Sequence, residues 1–485
     1  MSSVHLAMKV TPSVLAIALL SMAAAQTIAA QSPAAAAQQP PVELNPTQEV
    51  AAEEPQGPSI AVGPAQLRIG GYLGVTGLYR STSGGGGTGT SFASIPYADT
   101  LQGNVSETRL TAQASRITLR VDADFPENAG SRPRFRKLAG YFEMDFNGSV
   151  PDTVAVTSTS VGFRLRHAFA EVRYGDSFYM GAGQAFSLMT PQKDQISLWP
   201  SDVEMSQAVD TNYLAGMVWG RIPQFRLAWR PGKRFNWAFS VENPEQQLGN
   251  GLVTLPSCCA GDLDDQYNTG TNGLRVPNLM PDLITRIALN PSPAVHLDFG
   301  GVLRAFRHTI APYDDSDDFT TAAGGASING AVRATANTKV IGQFAFGPGI
   351  GRYVGGLVPD ATFGADSSIH PLRTRSWVAG VEQRLNPTVS VAGYYSGVDT
   401  TESFTTDGDG SFIGFGFPGS ANSNNKSIQE LTLTGSFLSF KSTNRGSAQV
   451  SVQYSWLERK PFDAGSGPAS AAMHMFFAQV RYNLP

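Results

Sequence analysis

The chain is short of charge. Asp, Glu, Lys and Arg make up 15% of its 485 residues, against about 25% in soluble proteins, so a string of soluble domains fits poorly. Also missing is any internal run of the roughly 18–20 apolar residues that a membrane helix needs. Cysteine is nearly absent: Cys258 and Cys259 are adjacent and are the two in the chain. Outside the cytoplasm they would be oxidised, and a free pair, a vicinal bridge and an intermolecular link all stay open. With no further cysteine or nearby histidine, no metal site is expected there. The net charge of −4 comes with no basic patch or arginine-rich arm, so nothing supports nucleic acid as a partner. Neither Gly-x-Ser-x-Gly nor His-Glu-x-x-His occurs, and no catalytic constellation or cofactor is expected. Low charge without a long apolar run is the composition of a membrane β-barrel, whose strands show lipid only every second side chain.

What is present begins with an export signal. Lys9 precedes "VLAIALLSMAAA" (Val14 to Ala25), followed by small residues suited to cleavage. This apolar core is too short to span a bilayer, and residues 1–30 are expected to be a secretory signal peptide. The Pro-, Ala- and Gln-rich residues 31–66 read as a flexible periplasmic linker. Residues 67–485 are expected to form the barrel.

From Leu67 onward, segments alternate with period two. In "RFNWAFSVEN", Phe235, Trp237, Phe239 and Val241 share one face, and Arg234, Asn236, Ser240 and Glu242 the other. "SAQVSVQYSW" and "KLAGYFEMDFN" behave alike. The apolar face would meet lipid and the polar face a wet interior. Sixteen such segments are expected, starting near Leu67, Thr108, Arg136, Val161, Ser177, Pro223, Arg234, Asp282, Ala294, Thr321, Asn337, Leu372, Thr388, Lys426, Asn444 and Ser470. Tight turns such as "YGDS", "RPGKR", "NPSPA" and "LNPT" alternate with long segments such as Ser187–Ile222 and Pro244–Pro281. With the N-terminus periplasmic, the tight turns sort to one side and the long loops outside. The expected fold is therefore all-β, a sixteen-stranded antiparallel transmembrane β-barrel whose third outer loop folds inward. The final segment "AAMHMFFAQVRYNLP" would be its closing strand.

Parity then selects the inward residues. Arg116, Arg120, Arg226, Arg230, Arg286, Arg304 and Arg481 are expected to line the pore. Strand four is ambiguous, because Arg164 and Arg166 share parity with Ala168, Ala170 and Val172. A bulge near His167 would turn both arginines, with His167, to the interior. An excess of arginine in the wall would favour anions, unless Glu143, Asp145, Glu171, Glu242 and Glu430 neutralise it across the lumen. Lys193, Asp194, Trp199, Asp202 and Glu204 are the candidate residues of the third outer loop, with Trp199 anchoring it to the wall. The acidic loops "YDDSDDF" and "DGDGS" are read as solvated charge rather than Ca²⁺ sites.

The segments "TAQASRITLRV", "RLRHAFAEVRY", "MGAGQAFSLM" and "WAFSVENPE" together resemble the DcaP family of trimeric outer-membrane porins, in order and spacing, from Leu67 to Pro485. The resemblance implies passive diffusion of small hydrophilic solutes, carboxylate-bearing ones among them, by a homotrimer in the bacterial outer membrane. Its partners would be lipid or lipopolysaccharide and the barrel-assembly machinery. By motif, Arg116, Arg120, Arg164, Arg166 and His167 would be channel residues, and "GQAFS" would lead into the constriction loop. The linker is too proline-rich for the coiled coil that many such proteins carry. Two other classes stand beside this reading: an outer-membrane enzyme of the lipase or protease type, and a ligand-specific receptor-type transporter. The first needs a nucleophile and base at the outer rim, the second a folded N-terminal plug.

Overall fold

The computed structural model describes residues 59–84, 87–125, 135–148, 159–270, 275–313, 318–355 and 358–485. The expected signal peptide, residues 31–58 of the linker and most of "YDDSDDF" lie outside them. Alternation builds one large antiparallel sheet, and its spanning strands are numbered here in chain order. They are β1 Ala65–Arg80, β2 Glu107–Thr111 with Arg116–Asp124, β3 Phe135–Asp145 and β4 Arg164–Tyr174. Next come β5 Phe178–Phe186, β6 Arg221–Trp229, β7 Phe235–Glu242, β8 Asp282–Ser292, β9 Val295–Thr309 and β10 Asp318–Arg333. Last are β11 Thr338–Pro348, β12 Arg373–Arg384, β13 Val389–Thr400, β14 Asn425–Ser442, β15 Gly446–Pro461 and β16 Ala471–Asn483. The two segments of β2 count as one strand because both pair along β1, which makes sixteen among the described residues. A short strand, Ile60–Val62, folds back on the start of β1.

Every strand pairs with its neighbour in sequence, and β1 pairs with β16 from Tyr72↔Asn483 to Arg80↔Met475. This closes the sheet and removes its free edges. The strands begin within about three residues of the positions that alternation marks out, because a turn must interrupt a period-two pattern wherever pairing reverses.

The wall separates its two faces sharply. Val480 is 54% exposed and Arg481 beside it 4%; Leu303 is 50% exposed and Arg304 1%. Outside, aromatic side chains collect toward both ends. Phe178 stacks on Trp229, which meets Phe235 edge-on, near the tight turns, and Tyr454 stacks on His474 and meets Phe476 at a tilt nearer the long loops. Apolar side chains between aromatic girdles are the outer surface that a bilayer requires.

One bulge falls where alternation alone is ambiguous. Between β3 and β4, Glu143 pairs with His167 but Met144 with Leu165, so Arg166 is the extra residue. The bulge brings Arg164, Arg166 and His167 to the same face, and Leu165 stays outside.

Candidate functional site

Inward parity assembles ion pairs along the wall. Arg164 donates to Asp145 at 2.6 and 3.0 Å, and the bulged Arg166 reaches both Glu143 and Asp145. Arg116 lies 3.5 Å from Glu143. His167 is fully buried between this acid and Phe186, its ring 4.8 Å from that of Phe186. Arg286 pairs with Asp298, and Arg304 with Asp282 at 3.1 Å and Asp360 at 2.9 Å. Arg226 donates to the Phe186 carbonyl at 2.7 Å, and Arg481 to Gln449. Much of the arginine in the wall is thus matched by carboxylates, as charges removed from water require.

The segment of residues 187–220 leaves β5 and crosses the lumen, fastened to inward side chains all round the barrel. Leu188 N–H donates to Glu242 of β7 and Gln192 N–H to Asp298 of β9. Arg286 of β8 donates to the Leu188 carbonyl at 2.6 Å. Glu204 meets Lys339 of β11 at 2.6 Å. Gln207 N–H donates to the Tyr394 hydroxyl of β13, Ala215 N–H to Glu430 of β14, and Asp210 N–H to Gln453 of β15. The return leg pairs with the β11–β12 connection, Val218 bridging Val354. Gly216, in a left-handed conformation at φ +77°, touches the backbone of Gly397, where a Cβ would lie 1.9 Å from the carbonyl oxygen. Buried Leu188, Met189, Ile196 and Val218 belong with Ile350 and Tyr353 to one buried apolar cluster inside the wall.

Asp210 ties this segment to the β1–β2 connection by accepting from Thr90 N–H at 3.1 Å, and it also accepts from Asn212 N–H of its own segment at 2.8 Å. Burial pushes its carboxyl upward, against the hydrogen bonds from Thr90 that favour the anion. The charged form is therefore penalised, and Asp210 becomes a liability as pH rises from the unfolded value near 3.9 through the raised one. Asp210→Asn keeps an oxygen acceptor and should flatten that pH dependence with little other loss. Asp210→Ala strands two buried N–H groups and should cost about 1–3 kcal/mol. Denaturation of the folded protein at pH 4 and pH 8 checks both.

Trp199 is held on three sides. Its Nε1 donates to Glu171 at 3.2 Å, its ring meets Tyr141 and Phe169 edge-on, and the Arg120 guanidinium lies 4.4 Å over it. Asp202 accepts from Ser197 and Gln195, and Lys193 donates to the Ser201 carbonyl. Asp194 is exposed, its carbonyl accepting from Asn290 at 2.6 Å. Beneath this arch opens a cavity of about 250 Å³, lined by Arg120, Lys137, Arg173, Arg230, Glu171 and Asp202 together with Trp199 and Tyr179. It lies at the tight-turn end. Arg230 stacks on Tyr179 at 3.6 Å and faces Glu171 at 3.6 Å, while Lys137, Arg120 and Arg68 share Asp122.

The structure therefore brings Arg120, Arg230, Trp199 and Asp202 to one cavity. It sets Arg116, Arg164, Arg166 and His167 in a second cluster, and Arg286 and Arg304 under the loop anchors. Glu204 sits against the opposite wall. Sequence reasoning passed over Lys137 and Arg173 at the cavity and Asp298 at the anchor. Lys137 has the parity of Tyr141, and Asp298 that of His296, so the signal was there. Cys259 is buried with its thiol 3.1 Å from the Ser367 hydroxyl, and burial pushes it up to about 11. Among the described residues no three metal-ligating side chains converge.

No family model and no curated protein matches the chain. Among solved structures, the outer membrane channel DcaP of Acinetobacter baumannii superposes with a TM-score of 0.60, at 15% identity, over 87% of this chain and 97% of that one. The chain has the fold of the DcaP channel. An anion-selective porin from Comamonas acidovorans covers 87% of this chain and 100% of its own at 10% identity and a TM-score of 0.48. Salmonella typhi OmpF, solved with daunomycin, gives 88% and 100% at 10% identity and 0.47. The DcaP-like fold agrees with the resemblance carried by the sequence motifs.

Proposed function

We propose that this chain is an outer-membrane porin for passive diffusion of small hydrophilic solutes, with a preference for carboxylate-type anions. The observation that carries the reading is the cavity at the tight-turn end, lined beneath the crossing segment by Arg120, Lys137, Arg173 and Arg230 with Glu171 and Asp202, Asp122 lying behind Arg120 and Lys137. Fixed positive charge in a low-dielectric mouth raises the local anion concentration. A segment strapped across the lumen narrows the path to small solutes, and Lys193, Asp194, Trp199, Asp202 and Glu204 would set its charge and width. Arg116, Arg120, Arg164 and Arg230, which keep some exposure, would line the rest of the route, and the buried Arg166, His167, Arg226, Arg286, Arg304 and Arg481 would hold the wall and the strap in place behind it. The DcaP channel, whose fold is shared, supports an outer-membrane location, and a periplasmic N-terminus would put the tight turns on the periplasmic side. Export by the N-terminal thirty residues, and a linker ahead of the barrel, complete this arrangement. The apolar outer strip of Leu73, Val75 and Val480 offers a surface for the homotrimer that the family resemblance implies.

Reconstituted in a planar bilayer, the protein should give steady ohmic conductance and a reversal potential favouring Cl⁻ in a KCl gradient. Lys137→Gln combined with Arg230→Gln should lower the Cl⁻/K⁺ permeability ratio about twofold. A cation-selective wild type would overturn the anion preference and leave the porin reading intact. Hydrolysis of lipid or peptide without conductance would favour an enzyme instead.

A further inference from the structure

The outer wall of β12–β15 carries a charge pattern that pore function does not use. Register sets Arg375, Asp399, Ser427 and Lys460 in one row across the four strands, about 14 Å from end to end at the usual strand spacing. Lys426 is skipped in the pairing with β15, between Asn425 and Ser427, and its side chain is exposed beside the row. Arg373 is exposed two residues nearer the loops. The opposing charges are weak partners. Asp399 is 4.0 Å from Arg375, which is 64% exposed, and also feels Lys426, while Glu458 serves Lys460 at 3.3 Å. Four cations against two carboxylates leave a net positive patch on a lipid-facing wall.

Toward the barrel's middle, the next outward rows are Trp377, Gly397, Gln429 and Glu458, then Ala379, Tyr395, Leu431 and Trp456. Tyr395 donates to Gln429 at 2.9 Å. The patch thus stands directly above an interfacial aromatic row, at headgroup height. Arginine and lysine there meet phosphate by charge-assisted hydrogen bonds, and such clusters recognise anionic lipid headgroups.

We propose that Arg373, Arg375, Lys426 and Lys460 form a binding site for a phosphorylated glycolipid of the outer leaflet. Its phosphates bridge the basic row and its acyl chains lie along Trp377, Tyr395, Leu431 and Trp456. Charge complementarity and continuity with the apolar wall select a lipid over a soluble anion. The proposal rests on the reading above only in assigning the loop end to the outer leaflet.

Native mass spectrometry of the full detergent-solubilised chain tests it, with bisphosphorylated lipid A, dephosphorylated lipid A and inorganic phosphate as probes. Bisphosphorylated lipid A should bind at least about tenfold more tightly than the dephosphorylated form. Glutamine at all four positions should abolish that difference. Equal binding of the two lipids, full retention by the fourfold variant, or equal competition by inorganic phosphate would each overturn the site. If the fourfold variant fails to fold, Lys426→Gln with Lys460→Gln should lose about threefold, and unchanged affinity there overturns the site equally. Conductance separates the two readings. These outward substitutions should leave it unchanged, and a wild type that binds the lipid without conducting removes the channel reading alone.

Discussion

Arg286→Ala should destabilise the barrel by about 3–5 kcal/mol and free the crossing segment from the wall. Arg286 is fully buried on β8 and paired with Asp298, and it also donates to the Leu188 and Met189 carbonyls and, at 3.1 Å, to the Ser327 hydroxyl. Its loss leaves Asp298 with Gln192 N–H, Asn329 and His296 but without its buried countercharge. Two carbonyls at the root of the segment also lose their donor. Breaking one side of a buried pair costs more than removing both, so Arg286→Ala with Asp298→Ala should recover part of the loss. Denaturant titration of the folded, reconstituted protein reads the stability. Single-channel recording should show a larger and noisier conductance once the strap is loose. Wild-type stability in the single variant would mean that the segment is held mainly by its apolar packing.

Removing the last five residues, Arg481 to Pro485, should block assembly. Three of the pairings that close the barrel, Tyr72↔Asn483, Leu73↔Tyr482 and Gly74↔Arg481, would be lost, with Ser447↔Asn483, Ala448↔Tyr482 and Gln449↔Arg481 on the other side. The Leu484 N–H bond to the Gly71 carbonyl would go as well. The exposed ends of β1 and β15 would then present unpaired backbone groups to lipid, each costing several kcal/mol. Heat-modifiable gel mobility of membrane fractions measures the outcome, and a normal folded band would refute closure by this strand. Pro485 itself makes no ladder bond, so Pro485→Ala should be silent.

The barrel was largely legible in the residues because its signal is local. A strand exposing alternate side chains to lipid and to the interior must write that alternation into its own sequence, as "RFNWAFSVEN" does. Turn residues such as those of "YGDS" mark each reversal. Hence strand number, order and the inward face of Arg226, Arg286, Arg304 and Arg481 follow from the chain itself. The bulge near His167 was also readable, because two arginines on a lipid face would cost about 2–4 kcal/mol each. That bulge falls at Arg166, one residue before His167.

What the residues could not say is what each charge meets. Arg286 finds Asp298 from a neighbouring strand, Glu204 finds Lys339 across the lumen, and Trp199 settles between Phe169, Tyr141 and Arg120. Such partnerships depend on interstrand register and on the path of residues 187–220, neither of which leaves a periodic trace. The sequence by itself therefore determined the wall, its closure and which side chains face inward, since period-two burial is a property of each strand alone. Only the tertiary structure decided which arginines are paired with carboxylates and where Arg120, Lys137, Arg173 and Arg230 gather at one cavity, because long-range pairing sets the local field.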